Sequence, residues 1–408
     1  MWCLLVARVV VLGGCGAVGS VAVRTLASLG DFSEVVVADI DAKKSSHLVD
    51  DIGSRCLSSL TVDVLDKRNL TKTIEGSDVV LNCVGPFYKS GPLILEAVIR
   101  AGVNYVDICD DIDATELQLK MDGAAKRAGV SACIGMGSSP GVTNLLAKFA
   151  ADSLLETVES IDLYHAHGGE PVEGAGVIGH RIHCMQLDVP VYINGVLKKV
   201  KFFGRAGAAL QEEVDFQLVG SHRVYPYPHP ETLTLPNYIK CRRVTNKGTV
   251  LPDAYFQLTL GIVQQALKSG RLNLKEERSS VLESMISDII QQRERILRET
   301  SFGEQRGCVK IVVAGQEGGE PHKYVFSLAS RGQAMGEGTG IPAAFGAALM
   351  QRGKVKSKGV FPPEGCILPL DFLEIMQEYL KLDKVGGTGS PLTIDSVDAK
   401  GNVEKLTL

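Results

Sequence analysis

Three groups of residues in this chain have types and spacing suited to chemistry. The first is Gly14-Cys15-Gly16-Ala17-Val18-Gly19, a G-x-G-x-x-G run that follows an apolar stretch and opens a helical pattern. Gly14 permits a tight turn, Gly16 lets backbone approach a pyrophosphate, and Gly19 lets the helix pack closely on the strand. The start of such a helix offers N–H groups and a partial positive charge to phosphates. Asp39 follows Gly19 by twenty residues and, with Ile40, ends the second predicted strand. An acid there accepts hydrogen bonds from the adenosine ribose 2′-OH and repels a 2′-phosphate. The pattern therefore predicts bound NAD, while Lys43 and Lys44 keep NADP open.

The second group is Asp107, Cys109, Asp110 and Asp111, at the carboxyl end of another predicted strand. Carboxylates this close repel one another, so at least one should have a raised pKa unless a cation is present. A substrate ammonium is such a cation. Asp107 and Asp110 are expected to bind the substrate, and Asp110 or Asp111 to exchange a proton with its amine. The plainer alternative is a turn of solvated acids, with Asp113 capping the next helix. Cys83, Val84, Gly85 and Pro86 close an earlier strand and are expected to wall the cofactor; Tyr88 and Lys89, just beyond, are alternative proton donors. The third group concerns a substrate carboxylate, which Arg grips well. Of Arg205, Arg223 and Arg331 in loop-like contexts, Arg223 is favoured because it precedes the stiff aromatic segment Tyr225-Pro226-Tyr227-Pro228-His229-Pro230. His165-x-His167 and His180-x-x-His183 lack acid or Cys partners at metal spacing, so no metal is expected.

The elements that must position these groups follow from periodicity. Short apolar runs at Val9–Leu12, Glu34–Ala38, Val79–Val84, Tyr105–Ile108 and Ser131–Ile134 alternate with helical patterns such as Ala17–Leu29, Leu93–Ala101 and Ala114–Ala128. Strands buried on both faces and alternating with helices predict a doubly wound parallel sheet, a Rossmann domain over residues 1–145. The style then changes. Val191–Phe203 reads as a hairpin around Asn194-Gly195, Val309–Ala329 as another around Gly318-Gly319, and Leu282–Leu297 as an amphipathic helix. Residues 146–345 are thus expected to form an α+β domain with a mixed, largely antiparallel sheet. Residues 346–384 are expected to be a helical segment, and 385–408 a loosely held tail.

Composition narrows the function classes. The 408 residues are 45% hydrophobic and 22% charged, with a net charge of −4, which gives no electrostatic reason for a nucleic-acid partner. No apolar stretch reaches the length of a membrane helix. Met1–Ala7 reads as lead-in to the first strand rather than a signal peptide. The ten cysteines are scattered and form no C-x-x-C pair, which fits buried thiols of a reducing, cytoplasmic compartment.

Beyond the glycine run come Gly85-Pro86-Phe87-Tyr88, then Tyr105-Val106-Asp107-Ile108-Cys109-Asp110-Asp111, then Gly137-Ser138-Ser139-Pro140-Gly141-Val142-Thr143-Asn144. Later stand Gly338-Thr339-Gly340-Ile341-Pro342-Ala343-Ala344 and Gly359-Val360-Phe361-Pro362-Pro363-Glu364. In this order the motifs resemble the saccharopine dehydrogenase family, with its lysine and carboxynorspermidine dehydrogenase relatives, from about Arg8 to Leu380. The resemblance implies a Rossmann domain, a substrate domain with a mixed sheet, and a final helix packing back near the first domain. It implies hydride transfer between a nicotinamide and the carbon–nitrogen bond of an amino acid or opine-type substrate. In the saccharopine reductase branch a basic residue implicated in catalysis follows the proline motif; here Leu95 stands in its place. A homodimer through the second domain's sheet is expected by the same analogy. The competing class is a non-catalytic dinucleotide-binding sensor or scaffold of the same fold.

Overall fold

The computed structural model describes residues 7–170, 173–272, 280–300, 302–331 and 334–408. The chain divides into two compact units, and neither is one continuous stretch. The first comprises Met1–Phe149 and Met335–Val385, the second Ala150–Ala334 and Gly386–Leu408.

The first unit is built on a seven-stranded sheet. Its strands are β1 (Arg8–Leu12), β2 (Glu34–Asp39), β3 (Leu57–Thr61), β4 (Val79–Asn82), β5 (Asn104–Asp107), β6 (Ser131–Cys133) and, far along the chain, β15 (Gly359–Phe361). Every pairing is parallel, in the order β15-β6-β5-β4-β1-β2-β3. The Val-rich runs of β1, β2 and β4 are buried because helices cover both faces of such a sheet. Strand β3, Leu-Ser-Ser-Leu-Thr, gives no apolar signal: it is the sheet edge, pairs only with β2, and leaves Leu60 and Thr61 exposed. The helix expected at Leu93–Ala101 starts at Phe87 and carries Pro92 inside, so Tyr88 and Lys89 lie in its first turn. The stretch Ala114–Ala128 forms two helices, Ile112–Leu119 and Asp122–Ala128. Asp111, rather than Asp113, is the cap residue of the first; Asp113 lies within its first turn.

The second unit holds a ten-stranded sheet. It contains β7 (Thr157–Gly168), β8 (Asp188–Ile193), β9 (Val196–Lys201), β10 (Glu212–Phe216), β11 (Gly220–Pro226), β12 (Arg243–Leu251), β13 (Arg306–Glu317), β14 (Glu320–Arg331), β16 (Leu392–Val397) and β17 (Val403–Leu406). Only β7 and β12 pair in parallel; the other pairs are antiparallel. Both expected hairpins form, β8–β9 through Asn194-Gly195 and β13–β14 through Gly318-Gly319. Asn194 and Gly195 have φ of 56° and 74°, the left-handed pair that matches strand twist in a two-residue hairpin. The helices Ala175–Cys184, Asp253–Lys268 and Ser280–Glu299 pack together in one core with Tyr255, Phe256 and Ile289 at its centre.

The expected loose tail is corrected. Residues 392–397 pair with β14, and 403–406 pair back on them. Leu392 and Ile394 are buried in alternation with half-buried neighbours, and the long strand β14 would otherwise be an uncovered sheet edge. The Gly-, Ser- and Thr-rich residues 385–390 suggest a loosely held tail, but they form the turn into the strand.

Candidate cofactor site and the acidic strand end

The glycine run lies between β1 and the helix Ala17–Leu29. The tight turn falls on Gly13, at φ 72°, one residue earlier than expected. A Cβ on Gly14 would meet Val11 O and Val37 Cγ1, both at 2.9 Å; one on Gly19 would lie 2.1 Å from Gly13 O. These two glycines are required by the protein's own packing. Gly16 is different, because a Cβ there meets only Gly13 O, at 3.3 Å. It is the helix cap, and it has no side chain to satisfy the first-turn amides. The space that a β-carbon on Gly16 would enter is almost unfilled by the described residues, which fits the backing of a pyrophosphate.

Asp39 ends β2 beside this loop. Its Oδ2 accepts from Cys15 N–H at 3.3 Å and its Oδ1 from Asp41 N–H at 3.1 Å. Ile40, next to it, is 70% exposed, a flat apolar surface beside a fixed carboxylate. Lys44 is turned towards Asp41, 3.3 Å away. On the other side, the Cβ direction of Gly13 points at Cys83 and at Val84 Cγ2, 3.1 Å away, so the end of β4 rests on the glycine loop. Burial first, then Asp39, pushes the Cys15 thiol up to about 11; burial and Asp107 push Cys83 up to about 12. Both therefore stay protonated thiols at neutral pH.

The acidic strand end separates into different roles. Asp107 is fully buried, which corrects its expected place against the substrate. Its Oδ2 accepts from Tyr105 Oη–H at 2.9 Å and Gln118 Nε2–H at 2.6 Å; its Oδ1 accepts from Cys109 N–H at 3.0 Å and Gly135 N–H at 2.8 Å. A carboxylate taken from water needs partners of this kind, and here the backbone supplies two of them. Burial raises its pKa, and the four hydrogen bonds oppose that shift. Like charge is not the leading cause. Asp111 is also buried, and its Oδ2 accepts from Tyr88 N–H at 3.0 Å, which ties the helix Phe87–Ala101 to this loop. Asp110 is partly exposed. Lys89 is exposed, with Nζ 5.5 Å from the centre of the Tyr88 ring. Leu95 is fully buried in the core of the first sheet.

The remaining motifs serve packing. Asn144 Oδ1 accepts from Gly141 N–H at 2.9 Å and its Nδ2 donates to Glu364 Oε2 at 2.8 Å. Gly340 lets its helix approach the helix Ala17–Leu29: a Cβ there would lie 2.7 Å from Val18 O.

In the second unit, Arg223 lies on β11 rather than in a loop, and its Nε is 3.0 Å from Glu213 Oε1 with both side chains more than half exposed. It lines a cavity of about 560 Å³ together with Gln211, Tyr225, Asp253, Gln257 and Gln264. Arg205 and Arg331 are exposed. The aromatic segment after Arg223 is buried, with His165 stacked on His229 at 5.1 Å and Tyr227 edge-on to both. Burial and the neighbouring histidines hold His165 well below its ordinary pKa, so it is neutral.

The sequence reading missed two buried arginines among the described residues. Arg181 pairs with Glu173 and donates to Tyr255 Oη at 2.9 Å. Arg293 Nε is 3.3 Å from Glu173 Oε2, and its Nη2 donates to Glu170 O at 2.6 Å. A signal existed for Arg293: it occupies the apolar stripe of its helix with Met285, Ile289 and Ile296.

Comparison with known proteins agrees with this architecture. Residues 9–133 match the family model of the saccharopine dehydrogenase NADP binding domain. The chain is 23% identical to a carboxyaminopropylagmatine dehydrogenase of Synechocystis sp., over 87% of this chain and 92% of that protein. It is 24% identical to a carboxynorspermidine synthase of Vibrio alginolyticus, over 89% and 93% of the two chains. Among solved structures, an apo saccharopine dehydrogenase (L-Glu forming) from Saccharomyces cerevisiae superposes with a TM-score of 0.64, at 15% identity, covering 98% of this chain and 100% of that one.

Proposed function

We propose that this saccharopine dehydrogenase-like, NAD(P)-dependent oxidoreductase acts on the carbon–nitrogen bond of an amino-acid-like secondary or primary amine. The observation that carries the reading is the pairing, within one unit, of an open dinucleotide loop after β1 with a loop of acids after β5, at the carboxyl ends of two parallel strands that flank β4. Ligands of open α/β sheets bind at those ends. Both relatives, by their names, handle carboxyalkylated amines, so a substrate bearing both a carboxylate and an amine is the class to test first.

Gly14, Cys15, Gly16, Ala17, Val18 and Gly19 would back the pyrophosphate, Asp39 and Ile40 the adenosine, and Cys83, Val84, Gly85 and Pro86 the nicotinamide. When bound, the nicotinamide supplies the acceptor or donor of a hydride, while the amine nitrogen loses or gains a proton as the C–N bond becomes C=N or the reverse. That proton needs a side chain. Asp110 is the first candidate, because it is partly exposed whereas Asp111 is buried against the Tyr88 amide. Asp111, Tyr88 and Lys89 follow it. Arg223, on the wall of its cavity, remains the candidate grip for a substrate carboxylate. Asp39 supports NAD over NADP, since its fixed carboxylate repels a 2′-phosphate.

The nine free cysteines among the described residues support a cytoplasmic setting. No helix among those residues is long and apolar enough to cross a membrane. A homodimer belongs to the same reading, and sedimentation tests it. The function itself is tested with a panel of amino acids, opines and carboxyalkylated amines, each with NAD and NADP, followed at the absorbance of the reduced nicotinamide. Turnover that falls about a hundredfold in Asp110→Asn, with cofactor binding intact, is the expected result. Binding of either dinucleotide without turnover on any amine would favour a sensor instead.

A further inference from the structure

We propose that Asp107 is a positioning residue for the nicotinamide half of the cofactor, acting through Tyr105 and Asn82 on the backbone of Val84; this rests on the reading of Val84 and Gly85 as the cofactor's wall.

The connection is a continuous line of hydrogen bonds. Val84 N–H donates to Asn82 Oδ1 at 2.9 Å. Asn82 Nδ2–H donates to Tyr105 Oη at 2.9 Å, and Tyr105 Oη–H donates to Asp107 Oδ2 at 2.9 Å. Asn82, Tyr105 and Asp107 are all fully buried. Proton positions follow from this order. The Asn82 amide nitrogen can only donate, so the Tyr105 oxygen accepts there and its single proton must point to Asp107. The carboxylate must therefore accept at Oδ2, and its remaining acceptor sites are taken by Gln118, Cys109 and Gly135. The polarity of the whole line is set by one carboxyl group whose two oxygens accept from four donors.

The geometry explains why a carboxylate stands in an apolar sheet. Four neutral donors, from the loops after β5 and β6, the Tyr105 phenol on β5 and the helix Ile112–Leu119, converge on one point. Only a carboxylate has acceptor sites for all four. Burying it costs several kcal/mol in general. An apolar residue would suit packing alone, yet here one side chain fixes the carboxyl ends of β4, β5 and β6 relative to each other. Val84 in turn rests on the glycine loop, with its Cγ2 3.1 Å from the Cβ direction of Gly13. A shift of Val84 would widen the wall at one end of the cofactor while leaving the Gly16 helix cap and Asp39 in place.

The test separates the two halves of the cofactor. Wild type, Tyr105→Phe and Asp107→Asn are titrated with NADH or NADPH, whichever the wild type binds more tightly, and with ADP-ribose or its 2′-phosphate, which lack the nicotinamide. Tyr105→Phe removes one hydroxyl and should fold. Its dinucleotide affinity should drop about five- to tenfold, on the scale of one buried hydrogen bond, and the fluorescence of the bound reduced nicotinamide should change. ADP-ribose affinity should stay within about twofold. Asp107→Asn should show the larger version of the same split. Equal weakening of both ligands, or no change in either, overturns the positioning role. Failure of the wild type to bind either ligand overturns the cofactor site instead.

Discussion

Asp39 and Asp107 both end strands of the same sheet and both accept backbone amides, yet they are suited to opposite tasks. Asp39 keeps its carboxylate at the edge of the glycine loop, beside the exposed Ile40, where a ribose can reach it. Asp39→Ala should weaken NAD by about tenfold and leave NADP unchanged or tighter, as read by calorimetry with each dinucleotide. Tighter NADP than NAD in the wild type would defeat this assignment. A second residue prediction concerns Glu170. Burial alone would raise its carboxyl, but the His167 hydrogen bond and charge, with Arg293, outweigh burial and bring it down to about 2. Its pKa in the fold lies below the ordinary 4.5, so its stabilisation is present above pH 4.5 and is lost as pH falls through about 2. Glu170→Gln should lower stability and flatten the acid limb of urea midpoints measured from pH 6 to pH 2. Sequence showed the acids near residue 107 but not their division of labour. Three Asp within five residues look alike in one dimension; only the packing of Tyr105, Gln118 and Gly135 against one of them makes it interior.

At the scale of elements, the glycine run contains two kinds of glycine, and substitution should tell them apart. Gly19→Ala places a Cβ 2.1 Å from Gly13 O, so the helix Ala17–Leu29 must move off the sheet. Thermal stability and dinucleotide binding should fall together. Gly16→Val meets little of the protein itself, so the melting temperature should stay within a few degrees while binding is lost. Unchanged binding in Gly16→Val would show that the loop holds no phosphate. The elements that periodicity revealed are those with a buried face, such as β1, β2, β4 and the helix Ser280–Glu299, whereas the hairpin β8–β9 is legible from its Asn194-Gly195 turn although β9 is almost wholly exposed. Those it missed carry little apolar signal of their own or depend on a partner distant in sequence. Strand β3 is a half-polar edge, and β16 is a strand because β14 offers it a ladder. Truncation after Val385 should expose β14 and lower solubility, with soluble yield after centrifugation as the measure.

At the scale of the whole molecule, each unit is assembled from two separated stretches, so neither can be isolated by one cut. In the first unit, Arg352 bridges Asp31 at 2.7 Å and Glu378 at 2.7 Å, joining residues more than three hundred positions apart. A fragment ending at Phe149 lacks this bridge, the helix bearing Gly340 and strand β15. It should show weak near-UV dichroism and rapid amide exchange in β6, whereas the intact chain protects β6. A fragment that melts cooperatively near the intact chain's midpoint would show that the later residues are dispensable.

The placement of β15 has a consequence for synthesis on the ribosome. About 225 residues lie between Cys133 and Gly359, yet the strands they belong to are neighbours. At translation rates of roughly 5–20 residues per second, the nascent first sheet waits on the order of ten to forty-five seconds with one edge unsatisfied. Through that interval β6 offers bare amides and carbonyls to any passing strand. The chain's vulnerability to aggregation is thus concentrated in a period of its manufacture rather than in its finished form. Pausing the ribosome after residue 200, with β6 emerged and β15 unmade, should increase its demand for chaperones more than pausing it after residue 405, with both emerged.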